Sequence, residues 1–246
     1  MSFDNIPSSR PTTKIIVWDV PVRVFHWLLV LCFAGAWLTA ESERWRQIHV
    51  TLGYTMAGLI AFRLIWGVVG TPFARFKNFL RGSSAVWAYV KSLPNGKPQH
   101  YIGHNPAGAL AIVGLLVLIA LVAASGWAAM NDIGGNWVEE AHEVSSNALL
   151  MLVIVHVVGV IVSSVVHREN LIRSMLTGRK HPVSDAEDAN VTVLQRAATA
   201  RRGSGAILGA VIVAVVLGFW AWQWQSSVAS TTNADTVHTN STEKQN

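Results

Sequence analysis

The chain has 246 residues, 51% of them hydrophobic and only 13% charged, about half the charged share of an ordinary soluble domain. With a mean hydropathy of +0.37 it cannot cover a soluble globule with charge, which disfavours both a disordered chain and an ordinary cytosolic enzyme. The one cysteine, Cys32, excludes an internal disulfide framework and cysteine-rich zinc or iron–sulfur sites, and no Cys-x-x-Cys-His is present to attach haem covalently.

Five apolar stretches approach the length that a helix needs to cross a bilayer, about 18–20 residues. They cover about residues 22–40, 50–69, 107–130, 148–166 and 206–224. Hydrocarbon offers backbone groups no partners, so each stretch is expected to be a helix and the fold class all-α, an integral membrane bundle. In chain order we expect an N-terminal segment over 1–21 and a membrane core over 22–180. A linker over 181–205, a fifth span over 206–225 and a disordered tail over 226–246 follow. The long basic connector after the second span holds Trp87-Ala88-Tyr89-Val90. That run suits a short helix at the interface, with Arg81 and Lys91 facing headgroups. Leu38-Thr39-Ala40 resembles a signal-peptide cleavage site. The apolar run before it is long, and His26 and Trp27 interrupt it, so the first span is expected to be retained. No internal repeat of the whole unit is visible, and Cys32 is expected to serve packing.

The formal charge of +5 suits either a nucleic-acid binder or the cytoplasmic loops of a membrane protein, and position decides. With the N-terminus inside, sixteen of the nineteen Lys and Arg residues fall on the inner side, and only Arg44, Arg46 and Lys244 fall outside. This bias predicts a bacterial inner-membrane protein with a cytoplasmic N-terminus and a periplasmic C-terminus. It also accounts for the basic charge with no nucleic-acid partner.

Four histidines stand at membrane depth, where ionisable groups are costly and usually functional. His142 and His156 lie fourteen residues apart on the fourth span. Fourteen helical residues turn through 1400°, about 40° short of four turns, and rise about 21 Å. The two side chains therefore leave nearly one face at two depths. His49 opens the second span at the outer level. His26 lies fourteen residues from the outer end of the first, at the inner level. Two pairs result, His49 with His142 outside and His26 with His156 inside. Facing neutral imidazoles suit a six-coordinate haem iron. A zinc or other transition-metal site suits them less well, since each pair lacks a third and fourth ligand. Gly35, Gly53 and Gly159 lie near these histidines. They would admit a flat macrocycle or, equally, close helix packing.

The motifs around these residues resemble those of one family. Trp18-Asp19-Val20-Pro21-Val22-Arg23-Val24-Phe25-His26-Trp27 is similar to the N-terminal motif of bacterial cytochromes b of the nickel–iron-hydrogenase type, the cytochrome b-561 family. So is the run through His49, Gly53-Tyr54, Phe62-Arg63 and Trp66-Gly67. Gly103-His104-Asn105-Pro106-Ala107-Gly108, Ser125-Gly126-Trp127, Glu140-Ala141-His142-Glu143 and His167-Arg168-Glu169-Asn170-Leu171 resemble it further. The likeness covers about residues 14–180. It implies a four-helix core holding two non-covalent haem b groups through His26, His49, His142 and His156. It implies electron passage between the quinone pool and a periplasmic redox partner, a hydrogenase or a c-type cytochrome. The fifth span departs from the four-helix core and carries no intramembrane histidine. Trp220, Trp222 and Trp224 near its outer end suit an interfacial belt.

Secondary residues follow. Arg23 and Arg63 stand near the inner level, where either could pair with a haem propionate; Arg23 is kept as the candidate, and snorkelling to headgroups is the favoured reading of Arg63. His167 lies eleven residues past His156 at the inner surface and is a candidate for quinone proton exchange. His100, His104, His181 and His238 fall in connectors or the tail, where solvated or capping roles are expected. Glu41, Glu43, Glu139, Glu140 and Glu143 give the outer face an acidic character that could steer a basic partner or simply solvate the loops. Two rival functions share the same residues: a proton or metal transporter using intramembrane histidines, and a membrane anchor subunit for a redox enzyme.

Overall fold

The computed structural model describes residues 15–80, 82–92, 103, 105–180 and 202–243. The expectations for Arg81, His100, His104 and His181, and for most of the 1–21 segment and the 181–205 linker, lie outside the described residues, as does the side chain of His238.

The first long helix, α1 (Val20–Thr39), starts where Asp19 accepts a hydrogen bond from the Val22 N–H at 2.9 Å. Pro21 sits in the first turn, where a missing N–H costs nothing. A 3-10 turn (Glu43–Trp45) leads into α2 (Arg46–Val69), which ends at Gly70. Two short helices follow, α3 (Phe76–Phe79) and α4 (Ser83–Ser92). The second of these is the short helix expected around Trp87; it packs on α5, and Lys91 Nζ lies 4.9 Å from the Trp87 ring centre.

Asn105 and Pro106 repeat the same starting device for α5 (Pro106–Met130), with the Asn105 side chain accepting from Gly108 N–H at 2.6 Å. The reversal into α6 (Asn136–Val166) needs left-handed backbone at Asp132, Gly134 and Gly135, and two glycines supply most of it. Beyond α6, α7 (Leu171–Thr177) stops at the left-handed Gly178, and α8 (Arg202–Glu243) ends the described chain.

Five of these helices are long and apolar enough to cross a membrane. They form two antiparallel hairpins, α1 on α2 and α5 on α6, joined along α2 and α5. α8 packs on α1 and touches α2. Burial in lipid gives helices little hydrophobic reason to associate, so close backbone approach matters. Gly35 faces Leu52, Gly114 faces Leu152 and Gly209 faces Val20, each at a distance that a methyl group would crowd. Between the helices lie Phe25, Cys32, Met56, Leu59, Leu116, Leu149 and Ile212. The far side of α6 presents Val144, Met151, Val155, Val158 and Val162, an apolar surface suited to lipid.

A polar clasp closes one end of the bundle. β1 (Ile15–Ile16) pairs antiparallel with β2 (Arg179–Lys180). Val17 and Trp18 donate backbone hydrogen bonds to the Gly178 carbonyl, and Trp18 Nε1 donates to Ser174 Oγ at 3.3 Å. Lys180 pairs with Glu169 at 3.0 Å. The clasp thus ties the entry of α1 to the exit of α6.

α8 differs from expectation in two ways. Its helix continues to Glu243, where a disordered tail was expected from 226; no Gly or Pro follows Gly218 to break it. Trp220 does not join the interfacial belt. Its indole donates to Thr55 Oγ1 at 2.9 Å, which fixes α8 to α2 and leaves Trp222 and Trp224 exposed.

Candidate functional site

The 31-residue run of α6 carries both His142 and His156 without interruption. His49 lies in the first turn of α2, and His26 in the second turn of α1. The structure brings the outer pair together, with the ring centres of His49 and His142 6.3 Å apart and their planes at 77°.

Each outer ring is held by its other nitrogen. His49 Nδ1 donates to the Ala36 carbonyl at 2.9 Å, and His142 Nδ1 donates to the Val122 carbonyl at 3.0 Å. A carbonyl can only accept, so both rings carry their proton on Nδ1 and keep the Nε2 lone pair. Ser125 Oγ lies 3.2 Å from the same His142 nitrogen. Gly126 makes room for that ring, because a methyl group there would sit 2.9 Å from His142 Cε1. Such outer partners fix the tautomer and orientation of a metal-binding imidazole. Sequence reasoning left these supports unassigned. Its available signal was Ser125-Gly126, a small polar pair at the depth of His142.

At the inner level His26 and His156 are close enough to interact electrostatically. The His26 ring stands edge-on to Trp27, with ring centres 5.2 Å apart. His26 Nδ1 and Trp27 Nε1 are buried without a hydrogen-bond partner among the described residues. Among the described residues, His26 therefore lacks a carbonyl support of the kind that holds His49 and His142.

The secondary candidates separate. Arg23 turns toward α7, where its guanidinium donates to the Leu176 carbonyl, while its Nε is buried without a partner among the described residues. Arg63 is only 3% exposed, so it does not snorkel to the surface. His167 caps the C-terminus of α6, half-buried, and its backbone N–H donates to Ser163. Glu41, Glu43, Glu139, Glu140 and Glu143 are all exposed at the end of the bundle that holds the outer pair. Near the opposite end Asp19 accepts from Trp66 Nε1 at 2.9 Å and from the Thr71 hydroxyl at 2.7 Å, joining α1 to the end of α2.

The glycines near the histidines also divide. Gly35 serves helix packing against Leu52. Among the described residues, a methyl group at Gly53 or Gly159 would meet no atom of another helix within 4 Å, so packing between described helices does not explain either. Among the described residues no three His, Cys, Asp or Glu side chains converge, so the histidines meet as pairs and not as a metal cluster.

Fold and site together define a helical membrane protein whose spans present paired imidazoles at two depths. A family model described as prokaryotic cytochrome b561 matches residues 17–178, and the chain belongs to that family. It is therefore a multi-pass b-type cytochrome, a haem protein of membrane electron transfer. Among curated proteins it is 23% identical to a probable Ni/Fe-hydrogenase B-type cytochrome subunit of Bradyrhizobium diazoefficiens, over 70% of this chain and 87% of that one. A subunit of the same description from Azotobacter vinelandii is 26% identical, over 73% and 93%. One from Escherichia coli, described as a probable Ni/Fe-hydrogenase 1 B-type cytochrome subunit, is 25% identical over 47% and 60%. No solved structure matches.

The residues present suit non-covalent haem. Two imidazole nitrogens each about 2 Å from one metal ion place their ring centres about 6 Å apart. The His49–His142 separation of 6.3 Å agrees with that spacing.

Proposed function

We propose that this cytochrome holds two haem b groups, the outer through His49 and His142 and the inner through His26 and His156. We place electron passage between a periplasmic redox partner, a hydrogenase or a c-type cytochrome, and the quinone pool. The observation that carries this reading is the outer pair, two neighbouring rings whose centres lie 6.3 Å apart, with both Nδ1 atoms anchored on backbone carbonyls. The names of the relatives favour a hydrogenase as the partner.

When bound, haem supplies one-electron redox chemistry. The chain's own residues do the rest. Ala36 and Val122 fix the ligand rings, so little reorientation accompanies a change of charge. Ser125 and Gly126 seat His142 against α5. Haem held by His49 with His142, or by His26 with His156, would serve electron transfer and not oxygen activation. The lysine and arginine bias supports a cytoplasmic N-terminus and a periplasmic C-terminus in the inner membrane. His167, at the C-terminus of α6, would exchange protons with quinone in this reading.

Purified protein should give sharp low-spin b-type bands on reduction and about two haems per chain by pyridine haemochrome. His49→Ala and His142→Ala should remove one and the same centre, and His26→Ala and His156→Ala the other. Loss of the same centre from both α6 variants would overturn the pairing. A colourless but active protein would favour a transporter. Quinone reduction by the complex that survives His26→Ala would favour an anchor subunit, and turnover that survives His167→Ala would remove that residue from the quinone site.

A further inference from the structure

The second helix carries a cation that the histidine pairs do not use. Arg63 lies fourteen residues after His49 on α2, the same separation that links His142 to His156 on α6. Fourteen residues return to nearly the same helix face about 21 Å further along. Arg63 therefore stands on the His49 face of α2 at the depth of His26 and His156.

Its surroundings are built. The side chain is 3% exposed. Its Nη2 donates to the Ala74 carbonyl at 3.1 Å, and its guanidinium carbon lies 4.6 Å from the Phe76 ring centre. Phe76 in turn packs on Gly67, where any Cβ would clash with the ring. The remaining terminal nitrogen, Nη1, is buried with no hydrogen-bond partner among the described residues. Asp19 lies within electrostatic reach, yet its carboxylate already accepts from Val22, Trp66 and Thr71. A buried guanidinium with a free N–H at membrane depth is costly unless an anion completes it.

We infer that Arg63 Nη1 binds a carboxylate of the inner haem, which makes Arg63 a propionate-holding residue of this cytochrome. Arg23 turns instead toward α7, where its guanidinium donates to the Leu176 carbonyl. A carboxylate fits better than a quinone carbonyl or a neutral donor. It supplies both charge and acceptor oxygens to the planar fork. Arg63 is a positioning residue: it fixes the edge of the macrocycle while His26 and His156 hold the iron, so the inference rests on the reading of that pair as the inner haem site.

The test is a redox titration of the purified cytochrome carrying Arg63→Gln, with Arg63→Lys beside it. Removing the cation should lower the midpoint potential of the inner haem and leave the outer one unchanged, with Arg63→Lys intermediate. Repacking alone would not explain an effect that depends on the propionates. Haem dimethyl ester has no carboxylate for Arg63 to hold, so Arg63→Gln should speed loss of the inner haem from reconstituted protein but not loss of the inner ester. Unchanged inner potentials in a two-haem Arg63→Gln protein would overturn the inference, as would an equal effect of Arg63→Gln on retention of haem and of ester. If Arg63→Gln does not assemble, Arg63→Lys is compared in the same way, and a wild-type chain that retains the inner ester as firmly as the inner haem overturns it. A wild-type protein with no inner haem would instead sink the reading on which the inference rests.

Discussion

At the scale of single residues, the outer site depends on three backbone-level features: the carbonyls of Ala36 and Val122 and the missing side chain at Gly126. Gly126→Val should push the His142 ring off its Val122 partner, because even a Cβ comes within 2.9 Å of His142 Cε1. The expected readout is a broadened or lost outer-haem band with the inner band intact, measured by low-temperature difference spectroscopy. Asp19 is the counterpart at the other end. One carboxylate caps α1 and receives Trp66 and Thr71. Losing a cap costs about 1 kcal/mol, and stranding a buried donor costs about 1–3 kcal/mol. Asp19→Ala should therefore lower stability by about 2–4 kcal/mol. A drop of several degrees in the temperature at which haem is lost in detergent would register it.

At the scale of elements, the clasp and α8 play different parts. Pairing of β1 with β2, and Lys180 with Glu169, holds the two ends of the four-helix core in register. α8 adds Ile212 to the core and a Trp220–Thr55 hydrogen bond, but its apolar span carries no histidine. Deleting residues 202–246 should leave both proposed haem centres spectroscopically intact while lowering thermal stability. Loss of a haem band on that deletion would show that α8 shapes a ligand pocket. Thr55→Val leaves the indole of Trp220 without its acceptor and should cost about 1 kcal/mol, read by the same thermal assay.

At the scale of the whole molecule, the proposed orientation follows from the distribution of charge, and helix pairing would set the distance between the two proposed haem centres. Cys32 is fully buried, so engineered cysteines can report topology against a quiet background. Asp132→Cys should react with a membrane-impermeant maleimide added from outside, and Asn170→Cys should react only after the membrane is opened. The reverse result would invert the proposed topology.

Sequence by itself determined the five spans, because a bilayer leaves a helix as the only way for each apolar stretch to satisfy its backbone. It also determined the spacing of His142 and His156 along α6, because helical rise and rotation are constants of the backbone. The short α4 around Trp87 was legible from its aromatic and basic composition. Only the tertiary structure decided what depends on neighbours brought together from distant positions. It set the Nδ1 partners of His49 and His142, the turning of Arg23 toward Leu176, the burial of Arg63 and the contact of Trp220 with Thr55. A periodic pattern tells which face a residue occupies. What fills the space opposite that face depends on how helices pack, and that is a property of the assembled bundle.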